Sequence, residues 1–404
     1  MGHRLCGPWS GSAQSEGRAP TTQSSSAAVQ AKKTRFRSFF ANPRSVAVAG
    51  MIERRPYNLP FQSLAQKICL HSATEALAVA TAGRHDAMAY DRLKRRLDAG
   101  EVVILDGATG TELQRRGVPM DPAAWCGPAT LQNERLLTEI HADYIAAGAE
   151  VITANTFASS RLMLSRAGYG DQVEEINRRA VAAALRARDD APGGTHVVVA
   201  GSLSHMVPVA GGTAVVDPER LPDDAEIAAA FNELAQILAA SGCELIILEM
   251  MYHPRRARLA LDAALRTGLP VWFGLSVRRG ADGGAVSFHR PEDLPLGELT
   301  GLIRERRVDA AGVMHSGAEL VAEALQSVRQ DFDGPLMAYP DSGYFEMPDW
   351  RFVDVIAPQR FETFCRQWIG SGVQILGGCC GLTAEHVAAA ARARDAVAQK
   401  PSGA

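Results

Sequence analysis

The chain has 404 residues, 47% of them apolar, and a formal net charge of −3 at pH 7. That length can bury one large core or two modest ones, and the absence of a strongly basic tract in the main body sets nucleic acid aside as a partner. No apolar run approaches the roughly 18 residues of a membrane span, and seven cysteines, odd in number and mostly isolated, read as a reduced, cytoplasmic protein rather than a disulfide scaffold.

Residues 1–87 differ from the rest. Ser10 to Ala31 is rich in Ser, Gly and Gln without apolar period, and Lys32 to Arg44 is basic with paired Phe39 and Phe40. Such composition cannot offset chain entropy by burial. A disordered tail, an acid-poor targeting peptide and translated upstream sequence preceding Met88 are the three readings of it. The regular pattern covers residues 88–398, and 399–404 read as a tail.

Tyr90 to Leu97 has helical spacing. Apolar runs then alternate with helical stretches: VVILDG (Val102 to Gly107), VITANTF (Val151 to Phe157), VVVAGSL (Val197 to Leu203), ELIILEM (Glu244 to Met250), VWFGLS (Val271 to Ser276), AAGVMH (Ala310 to His315), LMAYP (Leu336 to Pro340) and VQILGGC (Val373 to Cys379). Near-continuous apolar runs are the mark of parallel strands covered on both faces. Between them, Glu134 to Ala147 carries Leu137, Ile140, Tyr144 and Ile145 on one side and stops at Gly148, and Ala384 to Ala398 follows Thr383 as an N-cap. Eight such units predict an α/β fold, a (β/α)8 TIM barrel. A doubly wound sheet is the alternative, but DGATGTEL lacks the G-x-G-x-x-G spacing that fold usually carries after its first strand.

Barrel sites form at the C-terminal strand ends. Those ends offer Asp106, Gly107 and Thr109; Asn155 and Thr156; Ser202; Glu249; Ser276; His315; Asp341; and Cys379 with Cys380. Neighbouring residues of an extended strand point to opposite faces, so the adjacent cysteines share a ligand only if the backbone twists. Gly377, Gly378 and Gly381 permit that twist. The helix starting near Thr383 favours thiolate, and two thiolates suit zinc with a third protein ligand. Core filling and a vicinal redox disulfide are the other readings of the pair.

GGCCG after an apolar run resembles the signature of the homocysteine S-methyltransferase family. ILDGATGTELQRRG (Ile104 to Gly117), AGAEVITANTFASS (Ala147 to Ser160), CELIILEM (Cys243 to Met250), AGVMHSG and YPDSGYFEMPDW extend the resemblance, in order, over Tyr90 to Ala396. It implies a (β/α)8 barrel, a Zn2+ cofactor and methyl transfer from a small donor to homocysteine or a related thiol, giving methionine. It implies Cys379 and Cys380 as zinc ligands, Glu249 as the acceptor's ammonium partner, and Asp106, Gly107, Thr109 and Asn155 as the homocysteine pocket. No catalytic group beyond the metal is implied. A metal-held thiol is deprotonated where a free one, with pKa of about 8.5, is not.

The chain departs from the family at two strand ends. His315 occupies the third cysteine's position, preceded by Met314 where the family has Asn, and Asp341 replaces the Asn of Tyr-Pro-Asn. Two Cys and one His form a known catalytic zinc set. Two thiolates and a neutral imidazole leave zinc uncharged where three thiolates leave −1, so Asp341 is expected either to orient His315 or to serve as a fourth ligand. A less electron-rich zinc makes a bound thiolate less nucleophilic, which points to a reactive sulfonium donor such as S-methylmethionine or S-adenosylmethionine, or to another thiol. Ser204 to Pro218 departs from the usual family loop, so it fixes no donor, and a directly used small donor is expected rather than a cobalamin module. A zinc hydrolase using Asp341 or Glu249 as base and a non-catalytic amino-acid-binding barrel are the competing readings. Small-molecule partners are expected, with homo-oligomerisation left open.

Overall fold

A computed structural model describes residues 89–209 and 216–399. The N-terminal extension, residues 400–404 and the centre of the loop after the third strand lie outside the described residues.

Eight parallel strands follow the eight apolar runs: β1 (Val103–Ile104), β2 (Val151–Ala154), β3 (Val198–Ser204), β4 (Leu245–Met251), β5 (Val271–Leu275), β6 (Ala310–Gly317), β7 (Leu336–Asp341) and β8 (Val373–Leu376). They are joined in the order β1-β8-β7-β6-β5-β4-β3-β2. A parallel bridge between Leu105 and Val151 joins β1 to β2 and closes the ring, with Asp106 N donating to Val151 O at 3.0 Å. A barrel helix follows each strand: α1 (Thr130–Ala146), α2 (Val173–Asp190), α3 (Asp224–Ala240), α4 (Pro254–Leu265), α5 (Gly297–Glu305), α6 (Ala318–Asp331), α7 (Pro358–Gly370) and α8 (Ala384–Ala398). This is the TIM barrel expected from the sequence.

Alternation along each strand splits the core in two. Val103, Leu245, Ile247 and Ile375 point into the barrel; Ile104, Ile246, Leu248 and Leu376 point out against the helices. Residues 89–98 form a helix whose Ala89, Tyr90, Leu93 and Leu97 join the inner cluster with Trp272 and seal the N-terminal end of the barrel. The Trp272 indole donates to the Tyr90 hydroxyl at 3.3 Å.

α1 begins earlier than its apolar spacing suggests. A first turn from Thr130 is joined to the main helix across Asn133, at φ −125°, whose amide donates to Ala129 O at 2.9 Å. The α8 start at Thr383 is as expected, and the His386 ring accepts from Thr383 N at 3.1 Å.

Candidate metal centre and active site

Three strand ends break regular geometry where the sequence changes from apolar to polar. In β4 the register with β5 shifts between Leu248 and Met251, and Met250 has φ +55°. In β6 the register with β7 shifts between Met314 and Gly317, and His315 has φ +43°. Non-glycine residues seldom adopt this left-handed region, which costs about 1–3 kcal/mol and persists where the surroundings enforce it. The purpose is legible from the alternation. Met314 points into the barrel, so a regular strand would send His315 outward; the bulge turns its ring back to the mouth. The third break is the glycine-flanked pair after β8. Gly381 has φ +83°, and an added Cβ there would lie 1.9 Å from Ser342 O. Cys379 N donates to Pro340 O at 2.8 Å and Ser342 N to Cys380 O at 2.9 Å, so the β7 and β8 ends are stitched together.

These turns converge. His315 Nδ1 lies 3.5 Å from Cys379 Sγ, the two sulfurs are 4.0 Å apart, and the three ligand atoms all lie within 4.8 Å of one another. Tetrahedral zinc with bonds of about 2.3 Å to sulfur and 2.0 Å to nitrogen has ligand–ligand edges of roughly 3.5–3.8 Å, so the donor types and spacing fit that ion. Both cysteines are free thiols. Asp341 stands outside the tight cluster, but its Oδ2 is 3.5 Å from the same ring nitrogen that faces Cys379. The neighbouring Cys380 sulfur and burial hold the Cys379 thiol well above its ordinary range. Burial would lower the His315 pKa, but Asp341 and Cys379 overcome it and lift the imidazole to about 9. An acid and two thiols crowded on one imidazole are a site short of positive charge.

The cluster opens on a cavity of about 830 Å³. All of the sequence-derived pocket residues line it, with their side chains differently engaged. The Asp106 carboxylate accepts from Thr153 N at 2.6 Å and from Thr153 Oγ1 at 3.0 Å. A Cβ on Gly107 would meet the Tyr144 ring at 2.7 Å, so glycine is needed for close approach there. Thr109 Oγ1 donates to Thr153 O at 3.3 Å, and Asn155 donates to Cys126 O at 3.0 Å. These four shape the wall. Glu249 is different: it accepts from the Ser202 hydroxyl and forms no ion pair among the described residues. Burial pushes its pKa up to about 7 against that hydrogen bond.

Several wall residues escaped sequence reading. Trp350 packs against the His315 ring with centroids 5.6 Å apart. It sits in a small hairpin, Tyr344–Glu346 with Asp349–Arg351, clamped by Gln114, which accepts from Trp350 N at 2.8 Å and donates to its O at 2.9 Å. Trp350 lies inside the YPDSGYFEMPDW stretch, and that was the available signal. Trp125, Phe157, Tyr252, Phe288 and Phe345 add further aromatic wall.

A closed barrel whose C-terminal mouth gathers two thiols, an imidazole and a carboxylate beside one largely apolar cavity is a TIM barrel with a candidate metal centre. The family profile described as homocysteine S-methyltransferase matches residues 103–394. Relatives include homocysteine S-methyltransferase 4 of Zea mays, 25% identical over 320 residues, covering 73% of this chain and 90% of that protein. Homocysteine S-methyltransferase of Escherichia coli (strain K12) is 27% identical over 314 residues, covering 74% and 96%. Selenocysteine Se-methyltransferase of Brassica oleracea var. italica is 23% identical over 329 residues, covering 74% and 91%. The metallated crystal structure of the homocysteine methyltransferase MmuM from Escherichia coli superimposes with a TM-score of 0.59 at 23% identity, covering 74% of this chain and 99% of that one, a likeness of fold. The chain belongs to the homocysteine S-methyltransferase family and is a methyltransferase, which sets the hydrolase and non-catalytic readings aside. Among the described residues no helix is long and apolar enough to cross a membrane.

Proposed function

We propose that this enzyme transfers a methyl group from a small sulfonium donor to the thiol of homocysteine or a closely similar amino acid, with zinc held by His315, Cys379 and Cys380. The observation that carries the reading is the convergence of those three ligand atoms within 4.8 Å at a cavity that is also lined by Glu249. A bound zinc ion supplies Lewis acidity that keeps the acceptor sulfur deprotonated at neutral pH. Asp341 Oδ2 lies 3.5 Å from the same His315 nitrogen that faces Cys379. That position supports a role as the ligand present before the acceptor arrives.

Glu249 takes the acceptor's ammonium, and Asp106, Gly107, Thr109 and Asn155 form the wall against which the amino acid lies. The acceptor thiol proton leaves to solvent. The acceptor sulfur then forms a bond to the methyl carbon as the bond from that carbon to the donor sulfur breaks, and the electron pair stays with the donor. A thiolate and a sulfonium become two neutral thioethers. An apolar, aromatic cavity suits this loss of charge, because separated charges are poorly solvated there and a sulfonium gains from aromatic faces.

The test is zinc-edge X-ray absorption of the zinc-loaded enzyme with and without homocysteine, beside methyl-transfer assays with S-methylmethionine and S-adenosylmethionine. One additional sulfur neighbour on adding homocysteine, with methionine formed from one of the donors, is expected. An unchanged zinc shell removes the reading.

A further inference from the structure

In the first turn of α4 the cavity wall contains a cation that methyl transfer to a zinc-held thiol leaves unused. Arg256 is 5% exposed and lines the cavity. Its Nε has no hydrogen-bond partner, and the residue forms no ion pair among the described residues. Other arginines of the same helix are satisfied outside: Arg255 pairs with Asp224 at 2.7 Å and Arg258 with Glu305 at 3.0 Å. Arg256 is also the third residue of α4, at the positive end of the helix dipole. Tyr252 hydrogen-bonds it through its side chain, but no carboxylate pairs with it among the described residues. The Tyr252 ring lies 5.5 Å from the guanidinium carbon, a cation–π contact that leaves the charge intact. Burial first, and Arg256 beside it, pull the His253 pKa down to about 4, so that ring is neutral and its buried Nδ1 is unpartnered. Burial likewise draws the Arg256 guanidinium below the ordinary arginine range. A buried cation at a helix N-terminus without a counter-ion carries a desolvation cost that an anion arriving with a ligand would offset.

We propose that Arg256 binds the carboxylate of the methyl donor, so that the donor is an amino-acid-like sulfonium zwitterion. The assignment rests on the methyl-transfer reading for the word donor. A carboxylate could also come from the acceptor, but the acceptor's sulfur belongs at His315, Cys379 and Cys380. A four-carbon amino acid extends only about 5–6 Å from sulfur to carboxylate. Arg256 reaches His315 through two intervening rings: guanidinium to Tyr252 at 5.5 Å, Tyr252 to Phe288 at 5.9 Å, and Phe288 to His315 at 5.7 Å. The Tyr252 and Phe288 rings thus stand between Arg256 and the cluster in the chain of contacts, and the ligand that meets Arg256 across them is a second molecule beside the acceptor. The planar guanidinium meets a carboxylate through two parallel hydrogen bonds, which a lysine would not reproduce.

The test is calorimetric binding to full-length protein with three probes: S-methylmethionine, its methyl ester and homocysteine. Wild-type protein is expected to bind S-methylmethionine about 10- to 100-fold more tightly than the ester. Arg256→Gln should erase that difference and leave homocysteine affinity unchanged, and Arg256→Lys should recover part of it. Wild-type protein that fails to bind S-methylmethionine, or does not distinguish acid from ester, overturns the proposal without any variant. So does an Arg256→Gln protein whose loss falls on homocysteine instead. Because binding is read without turnover, a missing methyl-transfer activity counts against the reaction and not against this anchor.

Discussion

At the residue scale the candidate site is a contest between burial and charge. His315, Cys379 and Cys380 are expected to act as direct ligands, so His315→Ala and Cys380→Ser should each lower zinc affinity by more than the roughly 10- to 100-fold loss typical of an outer-shell partner. Asp341→Asn should fall within that range if the carboxylate only supports the ring, and beyond it if it is a ligand; competition with a chelating dye measures both. Glu249 makes a pH-dependent prediction. Its pKa is raised to about 7, so in ligand-free protein it favours folding at low pH and loses that contribution as pH rises through about 7. An ammonium ligand has the opposite preference, because it binds the carboxylate form. Affinity for methionine, which carries no thiol to titrate, should therefore rise with pH up to about 7 and then level. Glu249→Gln should weaken binding and flatten the profile, as read by calorimetry between about pH 5.5 and 8.

At the scale of elements, what distinguishes this barrel is how its strands end. The runs of β1 to β8 were legible because a strand covered on both faces must be apolar throughout, as ELIILEM and VWFGLS are. The glycines beside Cys379 and Cys380 announced the twist there. Nothing announced the left-handed backbone at Met250 and His315, since neither is glycine, Asn or Asp, and tertiary packing alone imposes it. Arg256 was hidden for a related reason: among the arginines of PRRARLAL, only the completed helix tells which one faces inward. The glycine argument has a paired test. Gly117 has φ +90° with open space where a methyl group would sit, whereas Gly381 combines φ +83° with the Ser342 carbonyl at 1.9 Å. Gly117→Ala should cost about 1–2 kcal/mol for backbone strain alone. Gly381→Ala should cost clearly more and also lower zinc affinity, which denaturant midpoints and metal titration would resolve.

For the whole molecule, stability rests on the helix-covered barrel and on a few groups buried at some cost. His141 in α1 is fully buried, and neither ring nitrogen has a partner among the described residues. Burial lowers its pKa to about 4. Its contribution to stability is present above about pH 6.5 and is lost as pH falls toward 4, a difference of roughly 3 kcal/mol. His141→Leu should flatten the acid side of a stability–pH curve measured by denaturant unfolding. The helix over residues 89–98 closes the opposite end of the barrel from the cavity. With that floor shut, traffic is confined to a single doorway. In the productive complex the thiol amino acid sits deeper than the sulfonium, so a sulfonium that arrives first bars the acceptor's way in. Steady-state kinetics should accordingly show inhibition by excess methyl source that added homocysteine relieves.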